Sequence, residues 1–173
     1  AGHEIDLDLM NTELRRRQGG YGRGGRQKIE TDRVTFLSGV RLGRSTGAPL
    51  TMQVPNKDAR LDDLERTPRL HRPRPGHADL AGSVKWLTTD CRETLERASA
   101  RETASRVAAG ALARSFLASF GIEIFGFVRS IGEQASAVEV TAANWRELIE
   151  AREASDVYCP DADASEQMRQ VIR

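Results

Sequence analysis

His77 and the arginines near it are the residues of this chain whose types and spacing could do chemistry. Two basic, small-residue segments carry them: RPRPGHADLAG from Arg72 to Gly82, and ERASARETASRVAAGALA from Glu96 to Ala113. Glycine, proline and alanine let a ligand come close to the backbone. Arginine donates bidentate, charge-assisted bonds from a planar fork and keeps its charge at any working pH. Histidine is the side chain that titrates nearest neutrality. The combination suits gripping phosphate while one proton-transfer group stands close by.

The elements that must position these residues are of mixed type. Ile5 to Arg17 has acids early and arginines late, which predicts a short helix with charges matched to its dipole. The glycine-rich piece Gly19 to Gly25 stops it. Val34 to Val40 and Pro49 to Val54 read as strands, with Gly43 to Gly47 as the turn of a hairpin. Pro55 to Pro75 is polar, charged and punctuated by proline, as in a surface loop. Ser99-Ala-Arg-Glu102 has the form of a capping box, and Val107, Ala111, Phe116 and Phe120 follow at roughly four-residue spacing. Ala108, Ala109 and Gly110 allow close packing, and Gly121 is a natural stop. Ile122 to Ile131 alternates apolar residues and predicts a half-buried strand. Trp145 to Arg152 and Ala164 to Arg173 read as helices. The second has neither cap nor glycine stop, so the sequence is expected to break off inside an element.

Composition bounds the class. The 173 residues fit one domain or a large part of one, and a hydrophobic fraction of 39% is enough for a core. With 26 Lys plus Arg against 25 Asp plus Glu, the chain lacks the basic excess of a general polyanion binder. Positive charge is local: Arg15 to Arg33 is basic and the last thirty residues lean acidic. Cys91 and Cys159 form neither a disulfide framework nor a zinc pattern, so no metal is expected and a reducing cytoplasm is the default. No apolar run approaches the roughly 20 residues of a membrane span.

Three blocks in succession carry a resemblance. RRRQGGYGRGGRQKIETDRVTFLSGVRLGRSTGAPLTMQVPNKD, RPRPGHADLAGSVKW and ERASARETASRVAAGALA resemble the chorismate synthase family in order and spacing, and cover well over half of the chain. GYGRGGR alone is a weak, repeat-like string, whereas RPGHAD followed by SARET is specific. The resemblance implies an α+β fold, helices packed around antiparallel sheets in a β-α-β sandwich, here an incomplete one. Residues 1–173 would form one partial domain from the N-terminal half of the family.

The resemblance also implies a lyase of the shikimate pathway. Such enzymes carry out an anti 1,4-elimination of phosphate from 5-enolpyruvylshikimate 3-phosphate to give chorismate, using reduced FMN without net redox change. NADPH serves some members for flavin reduction. The family is generally homotetrameric, with no nucleic acid or membrane partner. His77 matches the family's second essential histidine, which is thought to protonate the reduced flavin. Taken without its context, His77 reads better as a residue that fills a turn or packs locally. Arg17 and Arg23 match arginines that flank the glycine-rich turn and bind substrate, at a site sometimes described as NADP-binding. Arg74 and Arg101 match further substrate-contacting arginines. Arg16 is the alternative to Arg17, and at least one of Arg15, Arg16 and Arg17 suits a solvated helix end. Arg97, Ala98 and Ser99 align with a segment that contacts FMN. A helix N-terminus there offers free amides to an anion, while Ser99 as a simple cap explains the same residue. His3 and His71 have no such context and read as surface residues.

Departures from the family accompany the matches. The Gly-Glu-Ser-His-Gly block with the first essential histidine, most of the FMN loop and the late acid implicated in proton removal have no counterpart in the chain. Lys85-Trp86-Leu87 stands where Lys-Tyr-Gly is commoner. A fragment of a longer reading frame, itself inactive, is therefore expected. Two other classes fit parts of the sequence: an arginine-glycine RNA-binding module around Tyr21, and a catalytically dead scaffold. The first has no use for RPGHAD, and an aromatic fraction of 5% leaves it few stacking platforms.

Overall fold

The computed structural model describes residues 1–22, 31–57, 61–98 and 100–173. The chain divides into two compact units, residues 1–14 with 32–113 and residues 15–31 with 114–173. Helix α1 spans Leu7–Gln18, close to the expected span, and Asp6 sets its start by accepting from the Leu9 amide at 2.8 Å. Met10 and Leu14, one turn apart on a single face, are fully buried in the core of the first unit. Ile5, Val34, Ala108 and Ala111 complete that core, with Phe36, Met52 and Val54 packed against it.

Strands β1 (Thr35–Ser38), β2 (Val40–Arg41), β3 (Arg44–Ser45) and β4 (Thr51–Gln53) follow α1. β1 pairs antiparallel with β4 through Phe36 and Met52, as expected of the two predicted strands. The segment between them is not a plain turn. β2 and β3 form a second antiparallel ribbon, with Val40 opposite Ser45, and reverse at Leu42 and Gly43, both with positive φ. That is the twist a two-residue hairpin demands, so the reversal falls ahead of the predicted Gly43 to Gly47. Pro55 to Pro75 contains neither helix nor strand among its described residues.

Three helices complete the first unit's framework: α2 (Asp79–Trp86), α3 (Arg92–Arg97) and α4 (Ala100–Ala118). α4 ends three residues before Gly121, as expected, but its buried stripe is Ala104, Ala108 and Ala111. Phe116 and Phe120, assigned to that face by spacing, are exposed and meet each other edge to face at 5.1 Å. Alanine wins the buried face because it lets a helix approach its neighbour closely and gives up no side-chain entropy. Within the described residues, no helix is long and apolar enough to cross a membrane.

The second unit contains β5 (Ser130–Ile131), β6 (Gln134–Ala135), α5 (Trp145–Ala154) and α6 (Ala162–Ile172). Its core is Val157, Cys159, Ala164 and Met168, flanked by Tyr21, Val128, Ile131 and Ile172. The predicted strand Ile122 to Ile131 is realised only at Ser130–Ile131. Ile122 and Ile124 are exposed, and the segment's backbone bonds elsewhere, Val128 N–H to the Tyr158 carbonyl at 2.9 Å and the Gly126 carbonyl to Arg152 at 2.8 Å. Period-two alternation needs a pairing strand to become a sheet, and among the described residues none pairs with 122–129, whereas Ser130–Ile131 pairs with β6. α6 starts two residues earlier than predicted because Asp161 caps it, accepting from the Ala164 amide at 3.0 Å.

Candidate active site

The turn that carries His77 is built by an ion pair. Arg74 donates to Asp79 from Nε to Oδ2 at 2.8 Å, from Nη2 to Oδ1 at 2.9 Å and from its backbone amide to Oδ2 at 3.0 Å. Asp79 opens α2 and its side chain is 0% exposed, whereas Arg74 keeps contact with solvent. Inside this loop Pro75 holds φ near −65° and Gly76 takes φ +70°, a region costly for any residue with a Cβ. His77 is exposed at the tip, with Nδ1 2.9 Å from the Pro75 carbonyl oxygen. The turn is thus stiff, as expected, but its stiffness comes from Asp79 as much as from Pro75 and Gly76.

Hydrogen bonds from Arg74 hold the Asp79 carboxyl down to about 2, against the upward push of burial. Asp90 is likewise lowered, first by the Leu70 amide and then by that of Arg92, which it joins across the base of the loop. A carboxyl with a depressed folded pKa contributes stability that is present above its unfolded value of about 4 and lost as pH falls through the folded one. The first unit is therefore expected to lose thermal stability between about pH 4 and pH 2, and Asp79→Asn to flatten that loss. Melting curves followed by circular dichroism across this range check it.

α2 packs on α3, which leads into the second basic block. At Gly82 a Cβ would overlap the Thr94 side chain of α3, coming within 2.8 Å of the Thr94 Cβ. Gly82→Ala gains about 1 kcal/mol of helix propensity but incurs overpacking of about 1–3 kcal/mol. A net loss of up to about 2 kcal/mol in urea unfolding is expected, partly restored by Thr94→Ala. At the other end of α2, Trp86 lies under the Arg97 guanidinium at 5.0 Å and the Lys85 ammonium at 4.7 Å. Leu87 caps the helix in the left-handed region, φ 53° and ψ 40°, and is 92% exposed. That conformation explains why glycine is the commoner residue at this point in the resembling family. Leu87→Gly is expected to raise stability by about 1 kcal/mol, read as a higher melting temperature.

Arg97 ends α3, and Ala98 follows in an extended conformation that turns the chain into α4. Arg101, in the first turn of α4, has Nη2 2.6 Å from Glu96 Oε2. This is an ion pair without hydrogen-bond alignment: Arg101 Nε and Nη2 are both buried and neither is in bonding geometry with an acceptor. Buried donors of that kind are costly unless an acceptor meets them. An anion at the α3–α4 junction would supply one.

The remaining expected site residues fall elsewhere. Arg17 lies in the last turn of α1, within the second unit. There Arg16 donates from Nη1 to Glu153 Oε1 at 2.8 Å, and its carbonyl accepts from the Tyr158 hydroxyl at 2.9 Å. Burial pushes Glu153 up, yet Arg152 and Arg16 hold its carboxyl below the usual range. Arg16 is thereby tied into the second unit. Arg23 and Ser99, with the capping box that Ser99 would complete, lie outside the described residues. His71 is exposed, while His3 is half-buried and bonds through its amide to Ser45. Asp79, Glu96 and Trp86 join these residues only in the fold, although Trp86 stands out in the sequence within Lys85-Trp86-Leu87. The signal for Asp79 was present, an acid five residues after an arginine across Pro-Gly, but nothing in the sequence marks the partners of Arg97 and Arg101.

Comparisons with known proteins converge on one family. The family model described as chorismate synthase matches residues 1–173. Chorismate synthase of Desulforamulus reducens is 47% identical over 182 residues, covering 97% of this chain and 46% of the relative. That of Symbiobacterium thermophilum is 47% identical over 186 residues, covering 99% and 47%. A crystal structure of chorismate synthase superposes with a TM-score of 0.73 at 33% identity, over 99% of this chain and 45% of the other. The chain spans about half the length of the relatives it matches.

Proposed function

Because this chain belongs to the chorismate synthase family, we propose that it supplies part of the site of a lyase that eliminates phosphate from 5-enolpyruvylshikimate 3-phosphate to give chorismate. The observation that carries the reading is the buried Arg101 Nε, a donor that no acceptor meets, at the α3–α4 junction of the unit that also holds the Asp79-clamped turn presenting His77. A substrate bearing a phosphate and carboxylates needs both anion ligands and a proton-transfer group.

Reduced FMN bears a phosphate. Arg101 Nε is a buried donor that such a phosphate would meet, and the Arg97 guanidinium at the end of α3 adds positive charge. Arg97 and Arg101 fit the group. When bound, reduced FMN supplies the electron density that the elimination draws on. The chain's own residues do the rest: Arg101, Arg74 and Arg17, with Arg23, hold anionic groups, and His77 holds and releases a proton.

The two units are read as parts of one family domain, working as a homotetramer in the cytoplasm, with NADPH as a source of flavin electrons. The deciding experiment is an anaerobic assay of the intact gene product with reduced FMN and 5-enolpyruvylshikimate 3-phosphate. Chorismate formation is expected, whereas a folded tetramer that makes none is a dead scaffold.

A further inference from the structure

We propose that Asp79 is the positioning residue of this site, locking the turn from Arg74 to Ala78 so that His77 keeps one proton on Nδ1 and exchanges the other through Nε2. The inference rests on the reading of His77 as the proton-transfer group.

Asp79 stands in the first turn of α2, where a carboxylate is stabilised by the helix dipole without reaching for a partner. It instead reaches back five residues, accepts three bonds from Arg74 and loses all exposure to solvent. Those bonds close a ring around Pro75, Gly76, His77 and Ala78. Burying a charge is tolerated only when it is paired and hydrogen-bonded, and such a pair, once satisfied, holds its surroundings in one geometry. Arg74 spends its Nε–Nη2 edge on this duty.

The consequence for His77 follows from its contact with Pro75. A carbonyl oxygen only accepts, so the ring nitrogen 2.9 Å away must carry a hydrogen in the neutral and the cationic imidazole alike. The neutral ring is therefore the Nδ1–H form with its lone pair on Nε2. When the imidazolium gives up a proton, the Nε2–H bond breaks, its electron pair stays on Nε2 and the Nδ1–H ring remains; uptake reverses this. Without the Asp79 clamp, the Pro75 carbonyl is no longer held beneath Nδ1, and the two tautomers compete.

Histidine-selective ¹⁵N labelling tests this directly, because protonated and unprotonated ring nitrogens resonate in different ranges. In the wild-type protein, neutral His77 is expected as the Nδ1–H form. Asp79→Asn is expected to mix the two forms and to lower kcat of the intact gene product by about tenfold or more, with KM within about twofold. Should Asp79→Asn fail to fold, Arg74→Lys, which keeps the charge and removes the fork, is expected to mix the forms in the same way. An Nε2–H ring in the wild type, or an unchanged tautomer and kcat in the foldable variant, overturns the proposal. Wild-type turnover in His77→Ala would instead remove the proton-transfer reading, and the tautomer measurement separates the two failures.

Discussion

Replacing His77 with alanine in the intact gene product is expected to slow turnover by about 10²- to 10⁴-fold, with little change in substrate affinity. A positioned acid or base contributes that range, equivalent to about 3–5.5 kcal/mol of barrier. Affinity should be spared because His77 is exposed at the tip of its turn, where Nδ1 meets the Pro75 carbonyl, and in the proposed site arginines bind the anionic groups. The alanine variant removes no core contact, so its melting temperature should match the wild type. Steady-state kinetics with reduced FMN check the prediction. A rise in KM with kcat intact would place His77 among the binding groups.

The largest effect on folding is expected from Met168→Ala. Met168 has no exposure to solvent and sits among Val157, Cys159 and Ala164, with Ile131 and Ile172 against it. Removing its thioether loses transfer free energy and leaves a cavity, together about 2–5 kcal/mol. The surrounding groups cannot readily collapse into the space: Ser155 and Ser165 are tied Oγ to Oγ at 3.0 Å, and Ser165 also donates to the Cys159 carbonyl at 3.0 Å. Ile124→Ala, on the exposed segment, should cost no more than about 0.5 kcal/mol. Urea unfolding of both variants, with hydrogen exchange read over α6, distinguishes a packed core methionine from a replaceable one.

What was legible in the sequence depended on the range of the interactions involved. Helix α1 was readable because its acids, arginines and terminating glycine act within a turn or two of the backbone they stabilise. The β1–β4 pairing was readable from two short apolar runs separated by glycines. The strand expected at Ile122 to Ile131 failed for the opposite reason: alternation states which faces a strand would have, and only a neighbouring strand makes it one. The face of α4 failed similarly, since the spacing of Phe116 and Phe120 was helical while the choice of buried face belonged to whatever packs on Ala104, Ala108 and Ala111. Among the arginines, type and motif pointed to anion binding, while the acids that Arg16, Arg101 and Arg74 meet, Glu153, Glu96 and Asp79, emerged only from the fold.

The order and spacing of RPRPGHAD and SARET by themselves determined the family and named His77, because a motif is a local arrangement of residue types and is written directly in the chain. Which nitrogen of His77 is free, which edge of Arg74 is spent and which donors of Arg101 lack an acceptor were decided only in three dimensions. Those properties depend on burial and on partners brought in by folding, and a buried carboxylate such as Asp79 reads in the sequence like any solvated acid.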